Sequence, residues 1–394
     1  MVGSTNGYDQ GGGVAAYAAA TDLLYEEQEK LIVQRGIIEE SLVTNATPLL
    51  APTIKVRGVG KAGGFGGGGG GSNNKSSKSA SSSSSSSSYK AEGKAYSNIL
   101  LTEGLVRIDN ILSTDTANQL RHYLYELRSQ SEIDVQCGKV QPIQRFADVL
   151  LKRNRCDLTI PLGSGGSSGG GGGKNEIVTM ALMESLVQSP IGATISSLFG
   201  KDATLHEFSC LVSDSGSQRQ VFHPDTPFVE NGKNGEEEEA AEAVLYTCFI
   251  ALQDVTMDMG PTTWLPRTHT KEMHERFKDS TTTNNEEDGG GSSPKDNLIK
   301  NQQAVLGLLP QGSCVIFDSR VIHCGTANRS NDSRALFYFS FKNPKVLRYT
   351  GNPASIRKEL GDAKVTLGSL MEDLISFGRG KGSPLIDRLG SLMT

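Results

Sequence analysis

The strand-like run Arg334–Lys342 constrains the fold of this chain more than any other segment. Its sequence, RALFYFSFK, has a period of two, so Leu336 and Tyr338 share one face and three phenylalanines share the other. Apolar residues on both faces predict a strand that is covered on both sides. We expect one face to line a barrel interior and the other to pack against helices.

The segments before this run predict helices first and strands afterwards. Helical patterns cover Ser113–Ser129, where Thr114-Asp115 is the expected N-cap, and Glu176–Phe199, which Pro190 divides into two helices. Short β-rich runs follow at Thr204–Val212, Gln218–His223, Val244–Leu252, Thr262–Leu265 and Ser313–Phe317. This order predicts an α+β protein with a mainly β core, an antiparallel sandwich or jelly roll backed by helices.

Low-complexity sequence divides the 394-residue chain. The Gly60–Ser88 tract is almost entirely small and polar, so it is predicted to be disordered. Residues 1–59 are predicted to form an N-terminal segment that contains a helix at Val14–Gln34, and residues 60–94 a disordered Gly/Ser-rich linker. Residues 95–345 are predicted to form the folded domain, with a β core at about 204–342, and residues 346–394 a C-terminal helical extension.

Three polar insertions interrupt the predicted domain, at Gly163–Lys174, Asn231–Glu239 and Thr281–Pro294. Long loops add only a logarithmic entropic cost, so each is predicted to be a surface loop. The acidic insertion begins shortly after Asp225, which places its base near the mouth of any site built on that residue.

Composition excludes several classes of partner. The formal net charge is −5 without a basic stripe, which argues against nucleic acid, and no apolar run is long enough to span a bilayer. The six cysteines form no CxxC pair, which favours reduced thiols. We expect an intracellular, cytoplasmic protein with a small-molecule substrate; no feature identifies a partner for the N-terminal helix.

The tripeptide His223-Pro224-Asp225 is the first chemical signal. In an extended chain, residues two apart point to the same side, so the imidazole and the carboxylate face one point. Pro224 cannot donate a ladder hydrogen bond, so strand pairing should end there. Two imidazoles and one carboxylate form the facial triad of non-haem iron oxygenases. A second histidine is therefore needed.

His323 is the preferred second histidine, and His269 is its main rival. The turn after His323 leads into a strand that opens with Arg334, so a hairpin would return a guanidinium to the metal cavity. A guanidinium binds a carboxylate bidentately, which suits a dicarboxylate cosubstrate. Arg320 and Arg329 are the alternatives. The remaining histidines are expected in surface positions (His122, His274) or in the core (His206).

Three motifs together resemble the phytanoyl-CoA dioxygenase family. They are His223-x-Asp225, the segment Gly260–His269 (GPTTWLPRTH) and the segment Asp318–Arg334 (DSRVIHCGTANRSNDSR), and the resemblance extends over roughly residues 204–342. It implies a double-stranded β-helix and an enzyme that hydroxylates a small organic or lipid-like substrate. The implied cofactors are Fe(II), 2-oxoglutarate and O2, with ascorbate as an assisting reductant, and the products include succinate and CO2.

The resemblance also assigns residues. It makes His223, Asp225 and His323 the iron ligands and Arg334 the anchor for the far carboxylate of 2-oxoglutarate, whereas His269 falls in a structural turn. Asn328 matches a common position of the family in the turn after the distal histidine, which implies a cofactor-binding role. Phe249 lies in a strand expected to line the cavity and is a further candidate for cofactor binding, although plain core packing is the more frequent role of such a residue. The alternative from another functional class is a catalytically inactive jelly roll that binds metal or a partner.

Overall fold

A computed structural model of the chain describes residues 43, 45–53, 82–147, 153–160, 174–227, 242–277, 294–346 and 365–380. The helix predicted at Val14–Gln34, the acidic insertion Asn231–Glu239, most of the linker and nearly all of the other two insertions lie outside the described residues.

The described chain is a mixed α/β structure. Its α-helices are α1 (Ser82–Glu103), α2 (Thr114–Gln136), α3 (Lys174–Leu182), α4 (Ile191–Phe199), α5 (Lys271–Phe277), α6 (Pro294–Asn301) and α7 (Leu367–Gly378). Its strands are β1 (Thr47–Pro48), β2 (Leu105–Ile108), β3 (Phe146–Ala147), β4 (Arg155–Thr159), β5 (Thr204–Ser213), β6 (Leu245–Ala251), β7 (Thr262–Trp264), β8 (Val305–Leu306), β9 (Cys314–Asp318), β10 (His323–Gly325) and β11 (Arg334–Lys342).

The strands form two sheets. The larger has seven antiparallel strands in the order β2-β9-β6-β11-β5-β4-β3. The smaller has the order β1-β8-β7-β10 and is antiparallel except for the β1–β8 pair. The predicted antiparallel sheets are confirmed. The predicted order of helices first and strands afterwards holds only in part, because β1 to β4 precede α3 and α4, and α5 and α6 lie between β7 and β8.

Both faces of β11 are buried, as its sequence predicts. Phe337, Phe339 and Phe341 belong to the main apolar core, which also contains residues of α2, α4 and α7. Leu336 and Tyr338 belong to a second core, which joins the large sheet to β7 of the small sheet through Trp264. The large sheet therefore carries helices on one face and the small sheet on the other.

The predicted disordered linker is wrong for residues 82–94, which form the first half of α1. The helix is anchored by its contact with α4, where a Cβ atom at Gly93 would lie 2.7 Å from the backbone of Ala193. One helical turn later, the hydroxyl groups of Ser97 and Ser197 lie 3.2 Å apart. Small residues let the two helices approach closely, and this packing stabilises a serine-rich segment of weak helix propensity.

Two local predictions need correction. Ser113, not Thr114, is the N-cap of α2, because its hydroxyl accepts a hydrogen bond from the Thr116 backbone N–H. Residues Gln218–His223 form no strand; they run beside β10 with a single bridge at His223. Pro224 has no N–H to continue the pairing, as its sequence position predicts.

Helix α7 lies within the predicted C-terminal extension and packs on the main core through Leu367, Leu370 and Leu374. Among the helices that the structure describes, none has the length and apolar character needed to cross a membrane.

Candidate metal centre

The two histidines of the candidate centre are placed by one backbone bridge. The His223 N–H donates to the carbonyl of His323 at 2.9 Å, and the His323 N–H donates to the carbonyl of His223 at 2.9 Å. In such an antiparallel pair the side chains project to the same side of the sheet. The imidazole centroids are consequently 4.7 Å apart, with an interplanar angle of 47°.

Asp225 completes the group from the turn that follows. Its backbone N–H and that of Thr226 both donate to the carbonyl of Ser319, at 2.9 and 3.1 Å, which fixes the turn after Pro224. The Asp225 carboxylate oxygens lie 3.8 Å from Nε2 of His223 and 3.7 Å from Nε2 of His323. These separations are too long for hydrogen bonds. Atoms that share one metal ion at about 2.0–2.2 Å lie roughly 3–4 Å apart, so the three groups fit an ion between them.

The other nitrogen of each imidazole is held by the backbone. Nδ1 of His223 lies 2.8 Å from the Val221 carbonyl, and Nδ1 of His323 lies 2.9 Å from the Val321 carbonyl. A carbonyl can only accept, so Nδ1 carries the hydrogen and Nε2 presents its lone pair to the centre. Burial lowers the pKa of both imidazoles to about 4, and for His223 the neighbouring imidazole adds to this effect. Both are therefore neutral at neutral pH, as metal ligation requires.

The triad opens onto a cavity of about 290 Å³. Arg334, at the start of β11, also lines this cavity and is only 1% exposed. Its guanidinium donates to the carbonyl of Gly260 and, at 3.1 Å, to the hydroxyl of Ser213, while its Nε has no hydrogen-bond partner. Burial, reinforced by the Arg155 guanidinium, lowers the pKa of Arg334 to about 9. A buried guanidinium with an unused donor fits a carboxylate ligand.

The alternative arginines lie elsewhere. Arg320 forms a buried ion pair with Asp318, with 2.7 Å between Nη2 and the carboxylate oxygen. Arg329 is exposed in the turn between β10 and β11. Neither lines the cavity of the triad.

The remaining histidines are separate from the triad. His269 is buried, with Nε2 3.3 Å from the Leu101 carbonyl, and it does not belong to the cluster of possible ligands. His122 is exposed beside Glu126 on α2, as predicted, and His206 is half-buried in β5. The surface prediction for His274 is wrong. Its Nε2 lies 2.6 Å from the Arg320 carbonyl, because α5 packs that side of the helix against the loop after β9.

Phe249 and Asn328, the two further residues expected to bind a cofactor, have different surroundings. Phe249 lines the cavity and also packs against Phe317 and Tyr338, with ring centroids 5.0 and 5.4 Å apart. Asn328 lies in the turn before β11, where its amide donates to the carbonyls of Ser213 and Asp332. The structure therefore places Asn328 as a support of the turn, outside the residues that line the cavity.

Sequence reasoning missed a polar wall of the cavity on the large sheet, formed by Asp157, Glu207, Thr247 and Tyr338. The Tyr338 hydroxyl donates to the Asp157 carboxylate at 2.6 Å, and the Ser340 hydroxyl donates to the Glu207 carboxylate at 2.6 Å. A signal was present in β5, where Glu207, Ser209 and Ser213 alternate with the apolar residues of the other face.

Comparison with known protein families agrees with the resemblance found in the sequence. The sequence matches the phytanoyl-CoA dioxygenase (PhyH) family over residues 101–336, more than half of the chain. No curated protein matches the sequence.

Three of the similar solved structures are the non-heme alpha ketoglutarate dependent carbocyclase SnoK, the epimerase SnoN, both from nogalamycin biosynthesis, and AviO1 from Streptomyces viridochromogenes. SnoK is 14% identical, covers 67% of this chain and 88% of its own, and has a TM-score of 0.42. SnoN is 14% identical, with coverages of 70% and 99% and a TM-score of 0.41. AviO1 is 10% identical, with coverages of 65% and 97% and a TM-score of 0.39. TM-scores this low support no conclusion about the substrate of this chain.

The matched family uses Fe(II), 2-oxoglutarate and O2, and the cofactors of this chain are the same. The match includes all three residues of the triad and Arg334, and the neutral imidazoles, the carboxylate and the buried guanidinium suit these cofactors. The chain belongs to the phytanoyl-CoA dioxygenase family.

Proposed function

We propose that this protein is a dioxygenase that hydroxylates a small organic or lipid-like substrate and converts 2-oxoglutarate to succinate and CO2. The observation that carries the proposal is one cavity that contains the ligand atoms of His223, Asp225 and His323 together with the buried guanidinium of Arg334. A facial triad leaves part of the coordination sphere open, and a guanidinium in the same cavity can bind the far carboxylate of a dicarboxylate.

The architecture within this proposal is a double-stranded β-helix. The seven-stranded and four-stranded sheets pack against each other through the core that contains Trp264 and Phe317. The triad then lies where the small sheet meets the segment that follows β5, and the helices cover the outer face of the large sheet. This is the arrangement expected for a jelly roll that presents ligands at its mouth.

The iron, when bound, supplies the activation of O2 for oxidation of the substrate. The residues of the chain position and protect the reactants. Arg334 binds and orients 2-oxoglutarate through two or more charge-assisted hydrogen bonds. The carbonyls of Val221 and Val321 keep both imidazoles in the tautomer that ligates through Nε2.

Aromatic residues exclude water from the histidine side of the cavity. The rings of Phe317 and His323 are 5.3 Å apart in an edge-to-face contact, and Trp264 packs behind Phe317 at 5.8 Å. Exclusion of water strengthens the electrostatic contacts inside the cavity and protects reactive species.

The test is succinate formation from 2-oxoglutarate with Fe(II), ascorbate and a library of small molecules, measured together with O2 consumption. We expect a stimulated signal with the true substrate and a slow uncoupled signal without it, and loss of both in Asp225→Ala. An inactive metal-binding module would retain iron and form no succinate with any member of the library.

A further inference from the structure

The inner face of the large sheet changes character along β5 and β11. At one end, Arg334 pairs with Ser213, and Ser213 pairs with Arg155 on the next strand, so this row is basic. At the other end, Ser340 pairs with Glu207 on one side and with Thr247 on the other, so this row is acidic and polar. Ser213 and Glu207 are separated along β5 by roughly 20 Å of extended chain. The cavity therefore has two chemically opposite ends.

The row Glu207–Ser340–Thr247 is built from buried groups. Glu207 is 7% exposed, Ser340 is fully buried, and the Ser340 hydroxyl donates to the Glu207 carboxyl at 2.6 Å. Glu207 and Thr247 both line the cavity. Burial raises the pKa of the Glu207 carboxyl to about 8, and the Asp225 and Asp157 carboxylates reinforce the effect. Among the described residues that line the cavity, Arg334 is the only cationic one, and it lies at the opposite end from Glu207.

Thr247 gives an independent sign of a ligand. It is 3% exposed, its hydroxyl has no hydrogen-bond partner, and it lines the cavity beside Ser340. A buried hydroxyl without a partner costs free energy unless a ligand completes its hydrogen bonds. The position of this hydroxyl on the wall of the cavity points to a ligand group that reaches the acidic row.

The chemistry of the row selects the kind of group. Glu207 and Thr247 are the residues of the row that line the cavity, and the carboxyl and the hydroxyl can each accept a hydrogen bond. An ammonium group has three donors and no acceptor. Arg334 is the cationic side chain among the described residues that line the cavity, whereas Asp157, Asp225 and Glu207 carry carboxyl groups. The formal charges of Fe(II) and Arg334 balance those of Asp225 and 2-oxoglutarate, so no counterion remains for the carboxyl of Glu207. A cation brought by the substrate would offset the cost of ionising it.

We infer that the row Glu207–Ser340–Thr247 is a substrate subsite that binds an ammonium group, so that the substrate is a small aliphatic amine. This inference rests on the proposed function for the reaction but assigns the substrate class from residues outside the metal centre. A phosphate of an acyl-CoA ester or a free carboxylate would find no cationic partner in this row, because Arg334 lies at the opposite end of the cavity.

The test is a calorimetric titration of the purified full-length chain with three probes of equal length: hexylamine, hexanol and hexanoate. One sample contains Fe(II) and 2-oxoglutarate without O2, and a parallel sample is free of metal. We expect hexylamine to bind about tenfold or more tightly than hexanol, and hexanoate to bind more weakly still, because a charge-assisted hydrogen bond is the stronger kind. Glu207→Gln should remove the preference for the amine, and Thr247→Val should weaken amine binding about threefold or more.

The matched control is Glu132→Gln, which changes a half-exposed carboxylate on the surface of α2 and should leave all three titrations unchanged. Thermal unfolding of each variant shows whether it folds, and Thr247→Val decides the question if Glu207→Gln does not fold. Equal affinity for hexylamine and hexanol, no binding of hexylamine, or unchanged amine binding in the variants would overturn the subsite. The failure of the proposed reaction can be told apart from the failure of the subsite. If only the reaction is wrong, no succinate forms in the activity assay, but the metal-free titration still shows tighter binding of hexylamine than of hexanol.

Discussion

The two faces of β11 are equally buried but differ in composition. The outer face presents Phe337, Phe339 and Phe341 to the helices, with ring centroids 5.7 and 6.1 Å apart along the strand. The inner face carries Arg334, Leu336, Tyr338 and Ser340. Arg334 and Tyr338 line the cavity, Leu336 and Tyr338 belong to the core shared with the small sheet, and Ser340 is paired with Glu207. Burial alone therefore does not separate the part of the strand that stabilises the fold from the part that binds ligands.

The two faces of β11 accommodate their side chains in different ways. The outer face gains free energy from apolar area removed from water. On the inner face, buried polar groups are tolerated because several are hydrogen-bonded, as Tyr338 is to Asp157 and Ser340 to Glu207. Two groups without a partner, Nε of Arg334 and the hydroxyl of Thr247, belong to residues that line the cavity.

The largest expected effect comes from the outer face. Phe337 is fully buried and meets Phe208 edge to face at 5.6 Å. Phe337→Ala should lower the free energy of unfolding by about 3–5 kcal/mol, because it removes a large apolar side chain and leaves a cavity. Chemical denaturation measures this loss. The affinity of the folded variant for 2-oxoglutarate should remain within about twofold.

The inner-face control is Tyr338→Phe, on the adjacent residue of the same strand. It removes the hydrogen bond to Asp157 and should cost about 1–3 kcal/mol. A stability loss as large as that of Phe337→Ala would contradict the division between the two faces.

Arg334 gives the next effect, on the cosubstrate. Arg334→Ala should weaken 2-oxoglutarate binding roughly 10- to 100-fold, because a charge-assisted hydrogen bond contributes about 1.5–3 kcal/mol. Arg334→Lys should recover only part of the affinity, since an ammonium lacks the bidentate geometry. The control is Arg329→Ala in the exposed turn, which should change little. The reverse ranking of the two alanine variants in a binding titration would exclude Arg334 as the anchor.

Glu207 gives the smallest effect, on the pH dependence of stability. Its pKa is raised to about 8 in the folded chain, so the folded state binds more protons than the unfolded state until the pH passes that value. Stability of the ligand-free protein should therefore fall by about 1–2 kcal/mol from pH 6.5 to pH 8. Glu207→Gln should abolish this fall. The two imidazoles, whose pKa is lowered to about 4, act with the opposite sign, mainly below about pH 7, so they offset part of this fall.

Urea unfolding at several pH values in metal-free buffer measures the slope. A slope that is identical in wild type and Glu207→Gln would show that the carboxyl is ionised and solvated in the folded protein.

The sequence was sufficient for features that depend on local pattern. The period of two in Arg334–Lys342 predicted both covered faces, and the spacing in His223-x-Asp225 predicted a shared direction of the two side chains. The choice of His323 over His269 depended on a hairpin argument and on the family resemblance, and the structure brings His323 to the other two residues.

Features that depend on contacts between distant segments could not be predicted. Glu207, Ser340 and Thr247 are adjacent only through the pairing of three strands that are far apart in sequence. The helical conformation of residues 82–94 depends on the close approach of Gly93 to Ala193, which no local propensity shows. The burial of His274 follows in the same way from its contact with the loop after β9.

Iron binding by the chain tests the proposed metal centre of His223, Asp225 and His323. Anaerobic equilibrium dialysis against Fe(II) should give one bound ion per wild-type chain, and His223→Ala, Asp225→Ala and His323→Ala should each lower the affinity by about 100-fold or more. His122→Ala, on the surface of α2, is the matched control and should bind like wild type. Unchanged iron binding in His323→Ala, with loss in His269→Ala, would move the centre to the rival histidine and contradict the site described for this cavity.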